Sequence, residues 1–354
     1  MTVLQVCAYG AVYGGNFIAS LETLEAELNK RDIRTIYAFI GRAGDQDWCR
    51  EIEKRTKVYY LPEAKARILP KTYQIFKQIY RENDISIVHS HFELYDIPAT
   101  VMAKPGTKIF WHLHDAIGEG YSKNGTLHRI LTRLQYGVVG RKATLLTVSH
   151  KHGAFAESIG FPGKQIVYTP NGIDTGRIKP VSVDPASVKL VMLGWDILRK
   201  GVDVALEAAK DIPDSARVVI VGYQNCANFI REQQASARVV FQEPVKDINL
   251  LYGDARAFLH VSRAEGLSYA LLEVLYAGLP VICSDIPENR FAAQFRKVDM
   301  IPVEDPAALS DAIRRVLSAD SIPGGEDLKH NRELIEDRYS LNAWCRTIMD
   351  HYGV

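Results

Sequence analysis

The sequence is poor in the features that mark a secreted, metal-built or nucleic-acid-binding chain. Its five cysteines among 354 residues, Cys7, Cys49, Cys226, Cys283 and Cys345, stand singly, with no Cys-x-x-Cys and no Cys/His cluster at zinc spacing. That argues against a disulfide framework or a structural zinc and leaves buried free thiols in a reducing compartment. A formal net charge of +1 gives no electrostatic reason for a nucleic-acid partner. No apolar run approaches the ~20 residues that cross a bilayer. The start, MTVLQVCAYG, lacks the basic region and apolar length of a signal peptide, so a cytoplasmic protein is expected. Gly-x-Gly-x-x-Gly is absent after the first strand and no acidic residue ends the second, which speaks against a dinucleotide redox site.

What is present is an ordinary globular composition, 47% hydrophobic and 24% charged, over a length that suggests two domains. The pattern alternates strand and helix. Residues 3–8 read as a buried parallel strand, followed by Gly14-Gly15 and an amphipathic helix over 17–30. Glycine lets a backbone come close to an anion, so this turn has the make-up of a phosphate-binding corner, although any first βα unit would carry one equally well. Residues 64–82 predict a helix with a basic surface, divided at Pro70. Residues 86–92 predict a core strand ending in His89 and His91, which read as structural. The strand begun at 108–111 ends in His112-Leu113-His114-Asp115, at the end of a strand where ligands collect in doubly wound sheets. His/His/Asp raises a metal, but no third ligand cluster stands out in the order of the chain.

From residue 120 to 156 there is no acidic residue, and the helix around 127–134 carries His128, Arg129 and Arg133 beside its apolar stripe. It reads either as a surface helix packed on the first domain or as a patch touching anionic lipid. Pro170-Asn171-Gly172-Ile173-Asp174 is a turn and residues 179–187 a linker. The second half restarts the same grammar, with a strand at 189–193, a turn holding Arg199 and Lys200, and helices at 202–210, 229–236 and 249–254. Cations at a helix entrance neutralise a diphosphate and stabilise the charge that grows as a nucleotide leaves.

The most informative run lies at residues 257–282. A strand over 257–261 turns at Glu265-Gly266 and resumes as a helix with Leu271, Leu272 and Leu275 on one face, stopped by Gly278 and Pro280. Ser268 is placed as its N-cap, at a helix start suited to an anion. Glu265 and Glu273 flank this mouth, and a carboxylate accepts paired hydrogen bonds from vicinal sugar hydroxyls.

This run resembles the Glu-x7-Glu signature of family-4 retaining glycosyltransferases with the GT-B fold, of the kind that builds bacterial cell-surface polysaccharides. The family usually reads Glu-Gly-Phe-Gly where this chain has Glu265-Gly266-Leu267-Ser268. The likeness extends in order over Gly14-Gly15, His114-Asp115, Pro170 to Asp174 and Lys200-Gly201, nearly the whole chain. Two departures stand out: His112 replaces a more usual Thr, and Trp195 holds the place of the Arg in Gly-Arg-x4-Lys-Gly.

The resemblance implies an α/β protein with two doubly wound Rossmann-like domains facing a cleft: an acceptor-side domain at 1–178, a nucleotide-sugar domain at 179–338 and a last helix, 339–354, crossing back to the first. It implies transfer of a hexose from a nucleoside diphosphate sugar, a UDP-sugar favoured, to a glycan or lipid-linked glycan, in surface polysaccharide or glycoconjugate synthesis, with retention. Glu273 then holds the ribose and Glu265 the transferred sugar. Lys200, with Arg199 standing in for the missing Arg, holds the diphosphate, and His114 faces the sugar near the acceptor. Gly14, Gly15, Gly266, Leu267 and Ser268 line the donor. No cofactor or metal is expected, since no Asp-x-Asp of the metal-binding kind is assigned. The enzyme would work in the cytoplasm, with peripheral contact at the inner face of the membrane. Two alternatives stay open, a nucleotide-sugar epimerase on the same fold and a noncatalytic nucleotide-sugar-binding partner subunit.

Overall fold

The computed structural model describes residues 1–63, 66–114, 121 and 125–354. They divide into two compact units, Met1–Gly172 with Leu341–Val354, and Ile173–Ser340. The first boundary falls inside the Pro170-to-Asp174 turn, ahead of the expected 178, and the second at Ser340, just past the expected 338.

In the first unit the strands are β1 (Thr2–Cys7), β2 (Arg34–Ile40), β3 (Val58–Leu61), β4 (Ile85–His91), β5 (Lys108–Leu113), β6 (Thr144–Thr147) and β7 (Ile166–Tyr168). They form one parallel sheet in the order β3-β2-β1-β4-β5-β6-β7. A parallel sheet is covered on both faces, which is why the central strands are continuous apolar runs instead of alternating ones. Helix α1 (Gly15–Asn29) buries Phe17, Leu21, Leu24 and Leu28 against it. Pro70 does not divide a helix as expected but begins one, Pro70–Glu82. Its fixed φ and missing N–H suit the first turn, where that N–H has no partner anyway. Residues 66–68 form a turn, and the expected start, Ala64 and Lys65, lies outside the described residues. Helix α2 (Thr126–Gly137) buries Thr132, Gln135 and Tyr136 and turns Ile130, Leu131 and Leu134 outward.

The second unit holds β8 (Lys189–Leu193), β9 (Arg217–Val221), β10 (Val239–Gln242), β11 (Ala257–His260), β12 (Val281–Ser284) and β13 (Val298–Ile301). They pair in parallel in the order β10-β9-β8-β11-β12-β13. Helix α3 (Val202–Ala208) follows β8, and α4 (Tyr269–Ala277) follows β11. The helix expected over 229–236 instead spans Gln224–Glu232. It starts directly after the Gly222 turn, where Cys226 enters the core, and ends before Gln234, which takes a left-handed φ of 48°.

Helix α5 (Leu341–Tyr352) belongs to the first unit, and its Trp344, Ile348 and Tyr352 share a core with Val6, Leu24 and Ile87. All five cysteines are buried free thiols. Both sheets reverse direction of growth at one place, between β1 and β4 in the first and between β8 and β11 in the second. Ligands of doubly wound sheets collect at the carboxyl ends of the strands flanking such a point.

Candidate active site

At the carboxyl end of β8 the chain turns through Gly194 to Gly201. Gly201 adopts φ +69° and packs its Cα against the carbonyl of Val261, leaving no room for a Cβ. This turn brings Lys200 beneath the loop that leaves β11. Its Nζ lies 2.5 Å from Glu265 Oε1, and both side chains are more than nine-tenths buried. Arg199 Nη1 stands 3.7 Å from the other carboxylate oxygen, while Arg199 Nε donates to Asp196 Oδ2 at 2.8 Å. The exposed Trp195 ring stacks against both cations, 4.6 Å from the Arg199 guanidinium carbon and 5.1 Å from Lys200 Nζ. The place of the expected Arg is therefore filled by an aromatic face that holds the neighbouring charges.

Below this pair His260, the last residue of β11, puts Nε2 3.7 Å from Glu265 Oε1. Burial pushes His260 down to about 4, against the pull of Glu265, so the ring is neutral near pH 7. Burial alone would raise the Glu265 carboxyl. The Lys200 charge and hydrogen bond outweigh it, and the group is held below its ordinary range. The loop itself is fastened by Arg263, which grips Asp203 on α3 with two 2.8 Å hydrogen bonds and Glu304 with a third of 2.7 Å.

Ser268 caps α4 as expected from its position, its hydroxyl accepting from the Leu271 N–H at 3.3 Å. Leu267 and Ser268 are buried and Gly266 half-buried. Glu273, on the second turn of α4, is buried and ion-paired with Arg177. The second unit thus brings Arg199, Lys200, Glu265, Gly266, Leu267, Ser268 and Glu273 onto the carboxyl-end loops of β8 and β11 and the helix that follows.

Gly14, Gly15 and His114 lie in the first unit. Gly14 caps α1, and Gly15, at φ +55°, faces open space where a side chain would stand. Phe17, two residues on, meets the His114 ring edge-on with centroids 5.4 Å apart. Asp115 lies outside the described residues. His114 does not stand alone: the β4–β5 pairing sets His91 opposite His112 and gathers His89, His91, His112 and His114 in one buried group. Sequence order hid this cluster, because its members sit on two strands some twenty positions apart. His89, His91 and His112 offer ring nitrogens all within 4.8 Å of one another, the third-ligand grouping that the sequence did not display. Hydrogen bonds already engage these rings: His89 Nε2 with His112 Nδ1 at 3.2 Å, and His91 Nδ1 with His114 Nε2 at 3.0 Å. The cluster is therefore largely a bonded network, in which His112 Nε2 has no hydrogen-bond partner among the described residues.

An Asp-x-Asp spacing does occur, at Asp45-Gln46-Asp47, although the sequence pattern assigned none. Both carboxylates are exposed and Asp47 pairs with Arg50 at 3.0 Å, which leaves no converging pair. Two further residues of the site, His260 and Arg177, were not expected from the sequence. His260 carried the same signal as His114, a histidine closing a core strand. Arg177, in a short turn of helix after the first boundary, carried none.

Residues 20–177 match the family model described as Glycosyltransferase Family 4, and residues 188–319 match the model described as Glycosyl transferases group 1. A phosphatidylinositol N-acetylglucosaminyltransferase subunit of Arabidopsis thaliana is 21% identical over 96% of this chain and 81% of its own length. Lipopolysaccharide glucosyltransferase WaaG of Escherichia coli (strain K12) is 31% identical over a shorter stretch, 27% of this chain and 28% of its own. Among solved structures, Anabaena Alr3699/HepE in complex with UDP and glucose shares the fold with a TM-score of 0.78 at 14% identity, over 100% of this chain and 99% of that one.

Proposed function

We propose that this chain, a glycosyltransferase of the GT-B fold, moves a hexosyl group from a nucleoside diphosphate sugar to a sugar-containing acceptor with retention of anomeric configuration. The observation that carries this reading is the buried Lys200–Glu265 pair with Arg199 beside it, set at the switch point of the second sheet. A diphosphate placed there meets two cations, which stabilise the charge that develops on the departing nucleotide without a metal ion. As Lys200 turns to the phosphate, Glu265 becomes free to accept from the hydroxyls of the transferred sugar. Glu273 takes the ribose, its carboxylate exchanging Arg177 for the two ribose hydroxyls. In the first unit His114 and the open edge at Gly15 serve the sugar and acceptor side.

A UDP-sugar is favoured, in keeping with the UDP held by the HepE neighbour. Acceptors of surface polysaccharide or glycoconjugate type are favoured by the likeness to a lipopolysaccharide glucosyltransferase. For a lipid-linked acceptor α2 supplies a peripheral contact, with Ile130, Leu131, Leu134 and Val138 each about half exposed beside exposed Arg129 and Arg133. No helix among the described residues is long and apolar enough to cross a membrane. Flotation with anionic liposomes that survives Arg129→Glu with Arg133→Glu removes this contact from the proposal.

The test of the main reading is calorimetric titration with UDP-, GDP- and dTDP-sugars. Selective binding of one donor that weakens at least tenfold in Glu273→Ala supports it. Equal binding by the wild type and the variant overturns the ribose assignment. Once transfer is found, the anomeric signal of the product decides retention, and an epimer formed from donor alone would favour an epimerase.

A further inference from the structure

Four buried histidines of the first unit, His89, His91, His112 and His114, are joined by hydrogen bonds in two arms that begin on α5. Gln5 Nε2 donates to the Tyr352 hydroxyl at 3.1 Å. Gln5 Oε1 lies 3.0 Å from His91 Nε2, His91 Nδ1 3.0 Å from His114 Nε2, and His114 Nδ1 3.2 Å from Asn171 Oδ1. A second arm leaves the same hydroxyl: Tyr352 lies 2.7 Å from His89 Nδ1, and His89 Nε2 3.2 Å from His112 Nδ1.

We propose that Gln5, anchored by Tyr352, is a positioning residue that acts through His91 to fix His114 as the tautomer with its proton on Nε2. The direction of each bond follows from the orientation of the Gln5 amide, whose nitrogen donates to Tyr352. The amide nitrogen of Gln5 faces Tyr352, so its carbonyl oxygen faces His91 and accepts only. His91 therefore carries its proton on Nε2. Its bare Nδ1 accepts from His114, which carries its own proton on Nε2. On the other arm the Tyr352 hydroxyl, having accepted from Gln5, donates to His89 Nδ1. His89 then donates from Nε2 to His112 Nδ1, which leaves the His112 proton on Nε2. The rings of His89 and His91 are satisfied in their neutral form, while His112 Nε2 has no hydrogen-bond partner among the described residues; the buried environment pushes His114 to about 4 and the other three down.

The end of the first arm adds a second condition. A neutral His114 with its proton on Nε2 needs a donor at Nδ1; the structure sets Asn171 Oδ1 there at 3.2 Å, so this tautomer requires the amide to turn over and present its nitrogen. With the carbonyl oxygen of that amide turned to the ring, only the imidazolium satisfies both neighbours. The two amide ends are nearly the same shape, so the orientation of Asn171 and the charge of His114 are linked. With both nitrogens committed to the protein, His114 meets a sugar through its C–H edge and ring face and is not a general base.

The inference rests on the proposed sugar-side role of His114 only for its kinetic consequence, and the first measurement does not need it. Histidine 15N–1H spectra of the full chain at pH 7 are expected to show His91 and His114 with the proton on Nε2 by about tenfold or more, the preference that one or two buried hydrogen bonds sustain. Gln5→Met, which keeps the volume and removes the acceptor, is expected to bring the two tautomers of His91 and His114 toward equal populations. Gln5→Glu, which keeps an acceptor, is expected to restore the preference. Asn171→Asp, which offers acceptors only, is expected to convert His114 to the doubly protonated form at pH 7.

A wild-type His114 protonated on Nδ1, or unchanged tautomers in Gln5→Met, overturns the proposal. If Gln5→Met fails to fold, Tyr352→Phe removes the anchor from the far side and is expected to shift the same signals; unchanged signals there overturn it too. In transfer assays Gln5→Met is expected to lower kcat about tenfold with KM for the donor unchanged. Wild-type tautomers as expected with no transferase activity would fault the functional reading and leave this one standing.

Discussion

At the scale of single residues, the buried Lys200–Glu265 pair carries a cost to stability. Two charges taken out of water are repaid only while both are present, and removing one partner of such a pair typically costs about 3–5 kcal/mol. Lys200→Met is therefore expected to lower the unfolding free energy by roughly that amount, and Lys200→Met with Glu265→Leu to regain most of it. Neither variant is expected to turn over. Urea unfolding of the three proteins checks the first part and a transfer assay the second. A double variant no more stable than the single one would show that the pair is not the source of the loss. Glu265, Glu273, Lys200 and Arg199 were readable as site candidates because charged residues beside turn glycines in a βα unit have few structural uses. His260 and Gln5 were not singled out, because nothing local separates a polar residue that closes or interrupts an apolar strand from one that serves a site.

At the scale of elements, those with strong internal patterns stand where the sequence put them. Helix α4 spans Tyr269–Ala277, bounded by a capping Ser268 and by Gly278 at φ +95°, and its leucine spacing leaves little choice of face. The short strands β3, β7 and β13 carried no such pattern. Each has half-buried positions and four residues or fewer, and each lies at the edge of its sheet, where pairing decides the conformation and propensity does not. Helix α5 illustrates the opposite case: the family resemblance implied a last helix that crosses back to the first domain, and the packing supplies its neighbours. Trp344 is 3% exposed there and shares the core of the first unit. Trp344→Ala is expected to cost about 3–5 kcal/mol, seen as a lowered urea midpoint for that unit. A loss under about 1 kcal/mol, the size of a surface change, would mean that α5 is only laid on the outside.

At the scale of the whole molecule, buried titratable groups set the response to acid. His114 and His260 are pushed to about 4 and His89, His91 and His112 also down, each by burial first. An unfolded histidine titrates near its ordinary value of about 6.5. Between about pH 6.5 and 4 the unfolded chain thus binds more protons than the native one, and stability falls as pH is lowered through that window. Glu265, held low, adds to the loss at the acid end of the range. Asp96 opposes it: burial raises its carboxyl to about 7, so the native state holds that proton where the unfolded chain has released it, and its contribution fades as pH rises toward 7. The urea midpoint is expected to drop steadily from pH 7 to 4.5, and to drop more steeply in Asp96→Asn, which removes the opposing group. A midpoint flat over this range would contradict the buried neutral state of the histidines.

The amino-acid sequence by itself determined the alternation of parallel strands and helices, the division into two units and the strand-loop-helix unit that carries Glu265. These depend on patterns within a few turns of chain: apolar runs, cap residues and glycines. Only the tertiary structure decided which charges meet. Lys200 and Glu265 are 65 positions apart and Gln5 and Tyr352 are separated by 347, and such pairs are set by strand order and by where a last helix docks. The same cause placed four histidines of two neighbouring strands and their ends in one network. Long-range register is a property of the packed whole, since it follows from which faces must be buried together, and no local pattern carries it.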